Sequence, residues 1–393
     1  MHICHIVPSN VGGAARIADF LVSAQSKAGY NVSVVVLKKQ DPQWNLFTTA
    51  NCVISTDVET KKIRFFGSNL LGFLYSDFLR AIKLKEVIFS SIKPDLMITH
   101  TNNITRIYYL ISRQVFIPYI AYVHSDLEYE LRCMLKVKWQ WLINLVIKIS
   151  LRSLEKADGA VFVCKSLLDR HTQLGLNHNN SIVSYNPIIK TDLADSSLHT
   201  TAESWLRNPS LTTFISAARF ETQKDHGTLL KAFAQVIQLY PNARLVLLGN
   251  GSLMAKYQVL AESLGVSEYV LFVGYVSNPR AYFSLCRAVI LSSHWEGLGM
   301  VLVEALASGT TFIASDCPVG PREISELFGS GTLVKPEDVD ELATAICSHI
   351  NNPKGLLINA ESVELFSEKM CVRKLDELID LVIQSRESLS DPR

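Results

Sequence analysis

Short apolar runs of strand length alternate with stretches of helical spacing along most of this chain. The first lines show the unit. HICHIVP (2–8) is an apolar run, SNVGG (9–13) a turn, ARIADFLVSAQSKAG (15–29) a helix-period segment closed by Gly29, and NVSVVVL (31–37) a second apolar run. A strand, a glycine turn, an amphipathic helix and another strand make a βαβ unit. The same pattern predicts strands at DLMITH (95–100), YIAYVH (119–124) and GAVFVC (159–164), with helices between them. Strands that are apolar on both faces and alternate with helices imply a parallel sheet covered on both sides.

The rhythm breaks at YNPIIKTDLADSSLHTTAESWLRNPS (185–210), a polar stretch with Pro187 and Pro209 and little periodicity, which reads as a linker. It then restarts. Strands are predicted at 212–219, 243–249, 269–274, 288–293 and 310–316, and helices around 227–239, 252–264, 300–307 and from about 338. The expected organisation is α/β: two doubly wound, Rossmann-like domains facing across a cleft. The first covers 1–187, the linker 188–210 and the second domain 211–372, with a C-terminal helix at 373–393 that crosses back to the first domain. Open parallel sheets bind ligands beyond the carboxyl ends of their strands, so residues just past each strand are the ones to read for chemistry.

A length of 393 residues suits two domains, and a hydrophobic fraction of 48% supplies two cores. Lys+Arg (38) and Asp+Glu (37) nearly cancel, so the chain lacks the basic field of a nucleic-acid binder. The eight cysteines contain no CxxC pair, which points to reduced core residues and a cytoplasmic protein rather than a disulfide frame or zinc site. The N-terminus lacks a signal-peptide layout, and no uninterrupted apolar run is long enough for a transmembrane helix. The mean hydropathy of +0.19 is nonetheless high for a purely soluble enzyme. Two stretches, 61–85 and 134–156, interleave Lys and Arg with Phe, Leu and Trp. They suit either a peripheral membrane surface or ordinary core helices with solvated basic faces.

Three strand ends carry chemistry. ISAARFETQKDH (215–226) places Arg219 and Lys224 just past an apolar run, where a guanidinium fork and a point charge can converge on a polyanion or simply lie solvated. PSNVGGA (8–14) puts Gly12 and Gly13 at a helix start, where backbone N–H groups can approach a phosphate or sugar. It is not G-x-G-x-x-G and no acid ends the second strand, so a nicotinamide fold is disfavoured. In HWEGLGMVLVEALASGT (294–310), Glu304 sits in an apolar helical run eight residues after Glu296, with Gly297 and Gly299 between them. A buried carboxylate requires a partner. Both a core cation and a ligand diol meet that need. Asp338-Val339-Asp340 has the D-x-D form of a metal site but lies at a helix N-terminus, where the helix dipole accounts for clustered acids.

EGLGMVLVEALASGTTFIASDCPVGPREI (296–324) resembles the signature of the GT-B retaining glycosyltransferases of family 4. ISAARFETQKDHGTLLKAF resembles the family's G-R-x-x-x-x-K element, with Ala218 in place of the usual Gly. SYNPI (184–188) resembles its interdomain motif, and 244–279 its nucleotide-side region. The resemblance implies that Arg219 and Lys224 bind the donor diphosphate and that Glu304 accepts from the ribose hydroxyls. It implies that Glu296 contacts the transferred sugar, with the amides of Gly297, Leu298, Gly299 and Met300 near sugar and phosphate. Val273, Gly274 and Tyr275 would lie by the base. Gly12 and Gly13 would line the donor and acceptor loop, and His124 would touch the sugar; a lone strand-end histidine also suits a purely structural role.

The implied reaction is retaining transfer of a hexose or N-acetylhexosamine from a nucleotide sugar, UDP-linked, to a saccharide or lipid-linked glycan acceptor. No cofactor or metal is expected, because the two cations can neutralise the leaving diphosphate. A UDP-sugar epimerase and a non-catalytic sugar-nucleotide-binding subunit are the alternatives. With no nucleotide bound, Glu304 should face water rather than a buried Lys or Arg.

Overall fold

The computed structural model describes residues 1–38, 46–56, 69–135, 140–188, 198–352 and 360–390. The chain forms two compact units, Met1–Pro187 with Ser367–Arg393, and Ile188–Phe366.

The first unit carries β1 (His2–Val7), β2 (Asn31–Val36), β3 (Cys52–Ser55), β4 (Leu96–His100), β5 (Tyr119–Val123), β6 (Gly159–Phe162) and β7 (Ser181–Val183). They pair in parallel in the order β3-β2-β1-β4-β5-β6-β7. Its helices are α1 (Gly13–Lys27), α2 (Asn69–Val87), α3 (Asn102–Val115), α4 (Leu127–Leu135), α5 (Gln140–Glu155) and α6 (Lys165–Gln173). β1, β4 and β5 are buried almost throughout, which explains why they read as continuous apolar runs. β3 and β7 escaped the sequence pattern. They are short sheet-edge strands whose residues are half-buried or exposed, so they carry no apolar run.

The second unit repeats the plan with β8 (Thr212–Ala217), β9 (Ala243–Leu248), β10 (Val270–Gly274), β11 (Val289–Leu291), β12 (Phe312–Ser315) and β13 (Thr332–Val334), in parallel order β10-β9-β8-β11-β12-β13. Its helices are α7 (Thr200–Arg207), α8 (His226–Leu239), α9 (Met254–Ser263), α10 (Arg280–Phe283), α11 (Met300–Ala307), α12 (Pro321–Phe328), α13 (Val339–Asn351) and α14 (Ala360–Leu365). One face of the sheet is sealed by a cluster that includes Phe214, Phe233, Leu245 and Ile346. The other face is covered by Ala202, Ile215, Phe283 and Ala305.

Two expected boundaries are corrected. Residues 189–197 of the expected linker lie outside the described residues, but α7 occupies its second half. Ala202, Trp205 and Leu206 stand at helical spacing and join the core, while Glu203 and Arg207 pair on the solvent side. The return to the first unit begins at Ser367 rather than 373, and α15 (Glu368–Ser390) follows at once. Leu375, Leu378, Ile379 and Val382 form its buried stripe. Leu378 lies over Gly159 of β6, where a Cβ would stand 3.0 Å from its Cδ1. Lys374 donates to the carbonyl of Val183 and Arg386 to Asp158.

Among the described residues no helix is long and apolar enough to cross a membrane. The expected basic and apolar stretches fall partly outside the described residues, at 61–68 and 136–139. What is described of them forms α2 and α5, which bury one face and expose the other.

Because each unit has its own core, damage to one should be read in that unit. Phe233→Ala should destabilise the second unit by about 3–5 kcal/mol and Leu378→Ala the first by about 2–5 kcal/mol. Denaturant unfolding followed by separate probes in the two units should show each variant moving one transition more than the other.

Candidate active site

In the second unit the loops after β8, β9 and β11 are hydrogen-bonded to one another, and the loop after β12 packs against them. After β8, the amide of Phe220 donates to the carbonyl of Asn250 at 3.1 Å, and the amide of Leu253 to that of Phe220 at 2.9 Å. Gly249 has φ +131°, and a Cβ there would stand 2.2 Å from the carbonyl oxygen of Ala218. Only glycine lets these two loops meet. Its amide also donates to the carbonyl of Gly274, so the end of β10 is tied to the same point. Ala218, where the family pattern has glycine, is not among the residues with positive φ, so its side chain is tolerated.

The loop after β11 joins from the other side. Ser292 donates to the carbonyls of Lys224 and Asp225 at 3.0 Å each, and the amide of His294 donates to the carbonyl of Gln223. Gly320 closes the far flank, with its missing Cβ position 2.4 Å from the carbonyl oxygen of Leu298. This framework brings Lys224 and Glu296, distant in sequence, into a salt bridge. Ser293 donates to the same Oε1 of Glu296 at 2.6 Å. Glu296 is 5% exposed, so its charge is held by these two partners rather than by water. Arg219 is exposed. Among the described residues its guanidinium has no hydrogen-bond or ion-pair partner.

Gly297, Leu298 and Gly299 are buried, and Gly299 (φ +84°) precedes α11. That helix is not buried all round. Leu302, Val303, Ala305 and Leu306 face the core, whereas Met300, Val301, Glu304, Ala307 and Ser308 form a half-buried stripe at helical spacing. Glu304 therefore stands on the open side of α11. Val273 and Gly274 are half-buried at the end of β10, and Tyr275 is exposed. Asp338 caps α13, accepting from the amide of Glu341 at 2.9 Å, and Asp340 accepts from Gln235 at 2.8 Å. The D-x-D pair is thus occupied by capping and a helix-to-helix contact.

The first unit gathers a second set at the carboxyl ends of β1, β4 and β5. Gly12 (φ +98°) and Gly13 start α1 after β1. His100 ends β4 and is fully buried; Thr101 follows at φ +83°, a strained setting for a β-branched residue. His124, one residue beyond β5, is half-buried and stacks on Tyr122 at 4.8 Å. Its Nε2 meets Nδ1 of His100 at 3.2 Å. Burial pushes its pKa down to about 3, which leaves the ring neutral at physiological pH.

Comparison with known proteins places the chain in a family. A model described as glycosyl transferases group 1 matches residues 200–365, and one described as glycosyltransferase family 4 matches residues 11–190. The chain belongs to glycosyltransferase family 4. An uncharacterised glycosyltransferase of Methanocaldococcus jannaschii is 38% identical over 28% of this chain and 27% of its own length. The lipopolysaccharide 1,6-galactosyltransferase of Salmonella typhimurium is 26% identical over 50% of this chain and 52% of its own. The chain thus spans between a quarter and about half the length of these curated relatives. The Anabaena protein HepE, solved in complex with UDP, superposes with a TM-score of 0.72 over 97% of this chain and 100% of its own, at 17% identity. Two Rossmann-like domains of the GT-B type are the shared fold.

The structure of this glycosyltransferase brings together the expected Lys224 and Glu296 and adds residues that motif reading passed over. Gly249, Ser293 and Gly320 build the frame of the second-unit site. Gly249 stands in the G-N-G that follows β9 and Gly320 in the 296–324 signature, whereas Ser293 had no sequence signal. His5 and His100, behind His124, had none.

Buried neutral histidines make the fold acid-sensitive. Burial lowers His5 to about 4, and burial with the neighbouring Lys224 charge lowers His226 to about 3. Both are fully buried, and His226 stacks on Phe220 with neither ring nitrogen hydrogen-bonded. The unfolded chain protonates near pH 6.5 and the folded one does not, so stability is complete above that pH and falls below it. By pH 5 each histidine should cost about 2 kcal/mol. Urea midpoints measured from pH 7.5 to 5 should fall, and His226→Phe should flatten the slope of the second unit.

Proposed function

We propose that this glycosyltransferase moves a hexose or N-acetylhexosamine from a UDP-linked sugar to a saccharide acceptor, with retention at the anomeric carbon. The observation that carries the reading is the Lys224–Glu296 pair, with the exposed Arg219 in the same loop as Lys224, all past the carboxyl ends of β8 and β11. Arg219 and Lys224 bind the diphosphate and stabilise it as it leaves, the task a metal performs in other transferases. Glu304 takes the ribose hydroxyls. Val273, Gly274 and Tyr275 border the base, and Glu296 with the backbone of Gly297 to Met300 holds sugar and phosphate. In the first unit Gly12, Gly13 and His124 contact donor and acceptor. The UDP complex of HepE supports the nucleotide.

Retention proceeds on one face of the sugar, with the departing phosphate oxygen taking the acceptor proton. Lys224 and Ser293 both hold Oε1 of Glu296 and stabilise its charge, which lowers its nucleophilicity.

The acceptor is a lipid-linked glycan or lipopolysaccharide intermediate at the cytoplasmic membrane face. Support comes from the name of the Salmonella relative and from the surface of the first unit. α2 exposes Tyr75, Phe78 and Ile82, and α5 exposes Trp141, Leu145, Lys148 and Arg152 at helical spacing. Aromatic and basic groups on a helix surface suit a peripheral contact with anionic lipid.

Calorimetric titration with UDP should show Arg219→Ala losing about 1.5–3 kcal/mol, the worth of a charged hydrogen bond. Lys224→Ala should lose a similar amount and some stability too, since it strands the Glu296 carboxylate. Unchanged affinity in both would overturn the donor-site assignment. For the membrane contact, co-sedimentation should be stronger with anionic than with neutral vesicles and weaker in a Phe78→Ser, Trp141→Ser variant; equal partitioning would count against it.

A further inference from the structure

Behind His124 lies a row of hydrogen-bonded rings that the proposed chemistry leaves unused. Nδ1 of His100 meets Nε2 of His124 at 3.2 Å, Nδ1 of His5 meets Nε2 of His100 at 2.9 Å, and Nε2 of His5 meets Oε1 of Gln25 at 2.7 Å. The row crosses three adjacent strands or strand ends, β1, β4 and β5, and ends on α1. His5, His100 and Gln25 are almost wholly buried, while His124 is half-buried. Successive rings lie within 19° and 22° of parallel, with centroids 5.2 and 5.5 Å apart. At those separations the rings meet edge to edge through their nitrogens, as in-plane hydrogen bonds require.

A neutral imidazole has one donor and one acceptor nitrogen. Three in series can therefore point only one way or the other, and whatever stands at the closed end decides. With Oε1 of Gln25 facing His5, that oxygen can only accept and Nε2 of His5 carries the ring's proton; Nε2 of Gln25 is then buried with no hydrogen-bond partner among the described residues. Nδ1 of His5 then accepts from Nε2–H of His100. Nδ1 of His100 in turn accepts from Nε2–H of His124. The proton of His124 is thereby committed inward, and its Nδ1 keeps a free lone pair.

We infer that Gln25, His5 and His100 are positioning residues that fix the tautomer of His124, so that its Nδ1 is offered as an acceptor to a hydroxyl of the transferred sugar. The role toward the sugar rests on the glycosyltransferase reading; the tautomer does not. Neutrality of the row follows from burial, which depresses His5 and His100, and each ring's positive charge would further disfavour its neighbour's. The alternative polarity needs only a rotation of the Gln25 amide, which would put its NH2 against His5 and reverse every bond. His124 would then offer an N–H and bind a different atom of the substrate. The glutamine thus sets, from α1, what His124 presents one residue past β5.

The test is a long-range proton–nitrogen correlation of the full chain labelled with ¹⁵N-histidine, with His124 assigned through a His124→Phe variant. In wild type His124 should give one tautomer, unprotonated at Nδ1 and protonated at Nε2. His100→Phe keeps an aromatic ring in the stack and breaks the row. Gln25→Leu leaves His100 in place and removes only the terminal acceptor. Either should turn the single His124 tautomer into an exchanging mixture and lower kcat/KM by roughly tenfold, the worth of about one hydrogen bond. A wild-type His124 protonated at Nδ1 would overturn the inference, as would an unchanged His124 tautomer in Gln25→Leu. The spectrum is read without substrate, so this result is separate from the UDP titration that tests the function.

Discussion

Parallel pairing is the constraint on which the rest of the molecule depends. Every strand of both sheets runs the same way as its neighbours, so all carboxyl ends within a sheet emerge along one edge. The ladder alone would leave each sheet with two apolar faces; the crossover helices that parallel connections require also cover them. Chemistry then collects along one edge without any further instruction. In the second unit that edge holds the loops of Arg219, Lys224, Gly249, Gly274 and Glu296. In the first it holds Gly12, His100 and His124.

The two edges manage buried polarity in opposite ways. In the second unit a carboxylate is kept charged in a nearly closed setting by one ammonium and one hydroxyl. Such a pair adds little to stability over an apolar substitute, because desolvation offsets much of its attraction. Its value is positional: it holds Lys224 and Glu296 at the end of the sheet where a diphosphate and a sugar are proposed to lie. At the edge of the first unit the row of rings is uncharged, because burial keeps His5, His100 and His124 neutral. Neutral rings can pass hydrogen-bond polarity along a row, which a mixture of charged rings would break. His226 illustrates the rule within the second unit, since the adjacent Lys224 cation reinforces its neutrality.

Glu304 shows how far local pattern carries. The run MVLVEALA reads as a helix apolar on every side, and such a helix would force its carboxylate into the core. The fold instead leaves a stripe from Met300 to Ser308 half-buried and puts Glu304 on it. The residues around a helix do not say how many of its faces will be covered; neighbouring elements do. The same limit explains β3, β7 and β13, short strands that become strands by pairing with a neighbour, and α7, whose three apolar contacts were too sparse to stand out in a polar stretch.

By itself the sequence determined the class of fold, the division into two halves and the candidate residues Arg219, Lys224, Glu296 and Glu304 in the second unit. These depend on periodicity and on spacings within single segments, such as Arg219 to Lys224 and Glu296 to Glu304, which the chain carries locally. Tertiary structure decided which of those groups touch, that Gly249 and Gly320 are needed for backbones to meet, and that His5, His100 and His124 form one row. His5 and His100 lie 95 residues apart. Nothing local links them, because it is the order of strands in the sheet that makes β1 and β4 neighbours.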